Sequence, residues 1–185
     1  RDPVLQFIAK NQGDAETFHK LLAPGRAVYP VQAVRGMMNL VGSHDTERFI
    51  FQADGDPGKL KLAALFQMTY VGIPQIYYGD EVALSGGKDP DNRRTFPWDW
   101  QCDAVRKNVH DFYKKVIEIR HAIPALRTGQ FKKVLCDDKL YVFLREDQKD
   151  RVLVFLNNQN ESRSVTIDLS VFDFDKEASF TELLN

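Results

Sequence analysis

A histidine and an aspartate that follow an apolar run are the first residues able to do chemistry. His44 and Asp45 come directly after residues 37–42, which predict a strand buried on both faces of a parallel sheet. Groups at the carboxyl end of such a strand lie at the mouth of an α/β structure, where catalytic groups collect. A carboxylate there stabilises positive charge, and an imidazole hydrogen-bonds a hydroxyl-rich ligand. The alternative is a polar strand end, with Asp45 capping the amide of Glu47 or Arg48.

A polar loop at residues 79–101 is the second candidate. It has five acidic residues. It also has two adjacent arginines, Arg93 and Arg94, and three aromatic rings, Phe96, Trp98 and Trp100. Carboxylates and guanidinium groups bind hydroxyls in pairs, while flat rings stack on the apolar faces of sugars. The alternative is a solvated loop held by internal ion pairs such as Asp89 with Arg93.

Composition excludes several other classes of protein. The 185 residues are 43% hydrophobic and 28% charged, as in ordinary globular proteins, and the net charge is −1. Lysine and arginine are scattered, so the sequence predicts no nucleic-acid partner. No apolar run approaches the roughly 20 residues that span a bilayer, so it predicts no membrane partner. The first residues lack Met and a signal-peptide pattern. We therefore expect a start inside a longer protein, which leaves both a cytoplasmic and a secreted location open.

Two strand–helix units must position these residues. The sequence predicts helices at 14–22, capped by Asp14 and stopped by Pro24-Gly25, and at 58–71. It predicts a third helix from Asp103 to Pro124, and strands at 37–42 and 73–78. Two such units cannot close a barrel, which takes about 250 residues, and they would leave strand edges unpaired.

The residue period changes to two beyond residue 129. Strands are predicted at 140–144, 152–156 and 163–167, with a further strand near 130–135. The fold class is thus α/β followed by antiparallel β, divided into domains 1–125 and 126–185.

Three ordered segments resemble the α-amylase family of glycoside hydrolases. Residues 39–45 are similar to the last of that family's short signature segments, and residues 72–81 to the segment on its eighth barrel strand. Residues 86–94 followed by Trp98 look most like the neopullulanase, cyclomaltodextrinase and amylopullulanase members. The resemblance implies that the chain is a C-terminal fragment. It would supply the last two strand–helix units of a (β/α)8 barrel and part of the β-sandwich domain that follows.

The resemblance also implies roles for four residues. Asp45 matches the third acidic residue of the catalytic trio, which stabilises the transition state without attacking or donating the proton. His44 matches the histidine that binds sugar at the cleavage subsite. Asp89 and Arg93 match positions that contact the neighbouring sugar on the non-reducing side.

The implied activity is hydrolysis of α-1,4-glucosidic bonds in starch, maltodextrins, cyclodextrins or pullulan, with retention of configuration. No segment here resembles the motifs of the nucleophile or of the acid/base residue, so we expect the isolated chain to be inactive. The alternatives are a non-catalytic amylase-like partner chain and an α-glucan transglycosylase.

The expected partners are an α-glucan oligosaccharide or polysaccharide, the N-terminal part of the barrel and, through self-association, a second copy of the chain. No cofactor or metal ligand is predicted in this chain. Calcium sites in the family usually involve earlier segments, so the resemblance leaves calcium open for the parent protein.

Overall fold

The computed structural model describes residues 1–174 and 177–184; three residues of the predicted 126–185 domain, Asp175, Lys176 and Asn185, lie outside them. The α-helices of the described residues, α1 to α7, are Asp2–Val4, Ala15–Ala27, Val31–Gly36, Phe49–Gln52, Pro57–Thr69, Ala104–Ala122 and Ala125–Thr128. The strands β1 to β5 are Met38–Leu40, Ile73–Gln75, Gln130–Asp137, Leu140–Glu146 and Arg151–Asn157. A π-helix forms Leu5–Ala9, and short 3-10 helices form Asp80–Val82, Asp91–Arg93, Trp100–Cys102 and Ser170–Phe172.

Side-chain caps fix where the long helices begin. Asp14 accepts a hydrogen bond from the Thr17 amide (2.7 Å), and Asp103 accepts one from the Val105 amide (2.9 Å). Both predicted starts are confirmed. The predicted stop at Pro24 is wrong, because the Val28 amide still bonds to the Pro24 carbonyl (3.1 Å) and α2 continues past the proline. None of the described helices combines the length and apolar character needed to cross a membrane.

Strands β1 and β2 form a parallel pair, in which Met38 lies opposite Ile73. The buried Gln67 of α5 donates to the carbonyls of Asn39 (2.9 Å) and Gln75 (2.8 Å) and so joins both strands to the helix. Both strands are shorter than predicted, and burial on both faces is wrong for them. Met38 is 61% exposed and Ile73 is 53% exposed, because within the described residues these strands pair only with each other.

Strands β3, β4 and β5 form an antiparallel sheet in that order. The strand predicted at 163–167 is wrong, because residues 162–169 form no ladder. Val165 and Ile167 instead line an apolar groove with Ile119 and Val152. The alternating pattern there reflects one-sided contact. Since the described residues contain one antiparallel sheet, the sandwich stays a prediction.

A single core joins the helices to this sheet. Phe18 of α2 contacts the ring of Tyr141 edge-on at 5.4 Å, and Phe66 of α5 contacts Phe143 edge-on at 6.1 Å. All four rings are buried. Aromatic pairs of this geometry add to the stability that burial itself provides.

Two buried arginines connect the same elements through backbone carbonyls. Arg145 of β4 donates to the carbonyls of Thr69 (2.6 Å), Leu126 (3.0 Å), Gly129 (3.1 Å) and Gln130 (3.3 Å). Arg120 of α6 donates to the carbonyls of Met68 (2.6 Å), Leu126 (2.9 Å) and Gly72 (2.6 Å). The carbonyls at the end of α5 have no helical partner, and the cations satisfy them at the negative end of the helix dipole.

Candidate functional site

The segments that leave β1 and β2 lie at the same edge of the parallel pair, as expected for parallel strands. The turn after β1 is held by its own hydroxyl groups. The Ser43 amide donates to Thr46 Oγ1 (3.2 Å), and the Asp45 amide donates to Ser43 Oγ (3.3 Å). This turn presents the side chains of His44 and Asp45 to solvent.

The side chains of His44 and Asp45 contact each other. His44 Nε2 lies 3.1 Å from Asp45 Oδ1, and the two side chains are 66% and 72% exposed. The alternative in which Asp45 caps Glu47 or Arg48 is wrong, because the described residues give the Asp45 carboxylate no partner besides His44. Both groups are therefore available to a ligand.

Asp89 and Arg93 lie beside this turn. Arg93 Nε is 3.1 Å from Asp89 Oδ1 and also donates to the His44 carbonyl (3.1 Å). The ion pair expected under the alternative view of the loop is present, and both of its side chains are about half exposed. The structure thus brings the four predicted site residues onto one surface.

A buried layer beneath this surface was missed by the sequence reasoning. Asn92 is fully buried and donates from its side-chain amide to the carbonyls of His44 (2.8 Å) and Thr46 (2.9 Å). Arg48, also fully buried, donates to the Asn92 carbonyl (2.8 Å), to Asp80 Oδ1 (3.1 Å) and to the Tyr78 carbonyl. The available signal was an arginine that opens the apolar run 49–51.

Burial dominates the electrostatics of this layer. It raises the pKa of Asp80 to about 7, although the Arg48 guanidinium lowers it. It also raises the pKa of the Tyr113 hydroxyl, and the carboxyls of Asp80 and Glu81 add to that effect. Gly42 packs so closely on Asp80 that a Cβ there would lie 2.7 Å from Oδ2. The Asp80 side chain is therefore buried and closely packed, and its role is structural.

The aromatic residues of the loop and of the segment before it have three different surroundings. Trp98 is 85% exposed, with the Phe96 ring 4.9 Å away. Trp100 packs on His110 of α6 at 4.1 Å. The rings of Tyr77 and Tyr78 flank the Arg48 guanidinium at 4.0 and 4.7 Å, a cation–π arrangement that supports a buried cation. Trp98 is the most exposed of these rings, and Tyr78 is 40% exposed.

Comparison with protein families matches residues 26–108 to the alpha amylase catalytic domain. Neopullulanase 2 of Thermoactinomyces vulgaris is 41% identical over 171 residues, which cover 91% of this chain. A cyclomaltodextrinase of a Bacillus species is 46% identical over 164 residues, or 88% of the chain. The chain belongs to the α-amylase family.

Structural comparison agrees with this family assignment. The chain superposes on a debranching enzyme of Nostoc punctiforme with a TM-score of 0.83 at 29% identity, covering 91% of this chain and 37% of that one. The α-amylase-family chain spans 29% of the length of both curated relatives. The predicted resemblance to the neopullulanase, cyclomaltodextrinase and amylopullulanase members is confirmed.

Calcium stays a prediction for the parent protein. Across residues 1–174 and 177–184, no three His, Cys, Asp or Glu side chains lie together as metal ligands would. Asp80 instead faces Arg48, and Asp89 faces Arg93.

The loop backbone packs more closely around Gly86 than around the adjacent Gly87, and this difference can be tested. A Cβ on Gly86 would lie 2.4 Å from the Asp91 carbonyl oxygen, whereas one on Gly87 would lie 3.4 Å from the Phe51 ring. We expect Gly86→Ala to lower the free energy of unfolding by about 1–3 kcal/mol, because the backbone must shift. Gly87→Ala is the matched control and should change it by less than about 0.5 kcal/mol. Urea unfolding of both variants measures the difference, and equal midpoints would contradict the close packing at Gly86.

Proposed function

We propose that this chain is the part of an α-glucan hydrolase that stabilises the transition state and binds the adjoining sugars. The observation that carries the proposal is the gathering of His44, Asp45, Asp89 and Arg93 on one exposed surface. The names of the relatives, neopullulanase and cyclomaltodextrinase, support α-glucans as the substrate class.

Asp45 is the proposed transition-state carboxylate. Its side chain is exposed, so it accepts hydrogen bonds from sugar hydroxyls and opposes the positive charge that develops on the sugar ring. His44 contributes a hydrogen bond to the same sugar. Arg93 and Asp89 pair with each other, so their charged groups lie together where they contact the hydroxyl groups of the neighbouring sugar.

The bond-breaking carboxyl groups belong to other parts of the parent protein. A retaining mechanism needs a nucleophile and an acid/base residue about 5–5.5 Å apart. We assign neither role to a residue of this chain, so the chain alone is inactive under this proposal. Domain 1–125 would supply the last two strand–helix units of a (β/α)8 barrel, and 126–185 part of a C-terminal β domain. The exposed Met38 and Ile73 support further strands beside β1 and β2.

An assay of two proteins tests this division of roles. The full-length protein that carries this chain and the chain alone are each incubated with soluble starch, β-cyclodextrin and pullulan, and reducing ends are measured. We expect hydrolysis by the full-length protein alone. Activity of the isolated chain would contradict the division, and an inactive full-length protein would favour a non-catalytic partner chain. Products longer than the substrate would identify a transglycosylase.

A further inference from the structure

Asn92 is buried and connects the His44–Asp45 turn to the loop that carries Asp89 and Arg93. Its Nδ2 donates to the carbonyls of His44 and Thr46, which flank Asp45 in the chain. The orientation of the amide is determined, because the reverse assignment would place Oδ1 against two carbonyl oxygens. Oδ1 has no partner among the described residues. The residue is thus held in place by its two donor hydrogens.

The same amide anchors the loop that carries Asp89 and Arg93. Asn92 immediately precedes Arg93, and the two side chains share the His44 carbonyl as acceptor. The Asn92 carbonyl in turn accepts from Arg48 Nε (2.8 Å), and Arg48 begins the helix that follows the turn. Turn and loop are therefore connected in both directions through buried hydrogen bonds.

We infer that Asn92 is a positioning residue for the hydrolysis proposed above, on which this inference rests. It sets the position of the His44–Asp45 turn relative to the Asp89 and Arg93 side chains. Being fully buried, it touches no substrate itself. A misplacement of about 1 Å can cost 10²-fold in rate, so loss of this bridge should affect catalysis more than its effect on folding would explain.

Asn92→Asp in the full-length protein is the sharpest test, since Asp has the same shape and lacks the two donor hydrogens. We expect kcat on β-cyclodextrin to fall about 100-fold and KM to rise less, because Asp45 acts in the transition state. The matched control is Asn158→Asp. Asn158 is also buried, and its amide donates to the Phe7 carbonyl (2.6 Å) away from the site. Both variants should lose thermal stability, but the control should keep its kcat and KM.

Hydrogen exchange provides a second measurement that does not depend on activity. Asn92→Ala should accelerate exchange of the amides at 43–48, and Asn158→Ala should not. Wild-type kcat and KM in Asn92→Asp, or unchanged exchange at 43–48 in Asn92→Ala, would overturn the inference. If the unmutated protein hydrolyses no α-glucan, the proposed function fails. Hydrogen exchange then decides whether Asn92 positions the turn.

Discussion

Asp45→Asn is expected to lower starch hydrolysis by the full-length protein about 10³-fold. Loss of one preorganised transition-state contact costs about 10²–10³ in kcat, and loss of a charge opposite a developing cation belongs at the upper end. KM should change little, because the interaction is strongest in the transition state. Initial rates at saturating and limiting substrate separate the two effects.

Stability should be nearly unaffected by this substitution. Asp45 is 72% exposed, and its carboxylate contacts only His44 among the described residues, so the free energy of unfolding should change by less than about 0.5 kcal/mol. Asp99→Asn, an exposed change of the same charge on the 79–101 loop, is the control and should retain full activity. Similar rates in both variants would remove Asp45 from the catalytic role.

Arg145→Met is expected to destabilise the chain by about 3–5 kcal/mol. Removing the guanidinium leaves the carbonyls of Thr69, Gly129 and Gln130 without this donor, while Leu126 keeps Arg120. Each unsatisfied buried group costs about 1–3 kcal/mol. Burial, and then the nearby Arg120 cation, lowers the pKa of Arg145 to about 10. The side chain therefore remains charged at neutral pH.

Urea unfolding followed by circular dichroism measures this loss, with Lys132→Met as the control. Lys132 lies on the adjacent strand β3 and pairs with Glu146 at 2.6 Å with 40% of its side chain exposed, so its loss should cost at most about 1 kcal/mol. Arg145→Lys should lose most of the stability that the Arg145 side chain provides, because an ammonium group lacks the fork that reaches separate acceptors. If Arg145→Met unfolds like the control, the carbonyls have found other donors.

Local sequence signals predicted where the long helices begin. Asp14 and Asp103 were read as caps, and a cap is decided by residues two or three positions away. The exposure of Met38 and Ile73 could not be predicted from local signals, because it depends on which strands lie next to them. The pattern at 163–167 was misread because a one-sided apolar contact produces the same alternation as a strand.

The exposed part of the site was predicted and its support was not. His44 and Asp45 were found as polar side chains after a predicted strand, whereas Asp89 and Arg93 were singled out from the loop by the resemblance to the α-amylase family. Asn92 and Arg48 support the site through backbone carbonyls that lie 30 to 48 residues away in the sequence. A carbonyl has the same chemistry in every residue, so no residue type identifies the acceptor in advance.

The carbonyl of Leu126 receives hydrogen bonds from both Arg120 and Arg145. One oxygen atom therefore joins a helix of the α/β part to a strand of the antiparallel sheet. Rotation of one part against the other would withdraw a donor from that oxygen and leave a buried cation without one of its acceptors. Relative motion about residue 126 is thus opposed by the cost of leaving a buried charge without its acceptor.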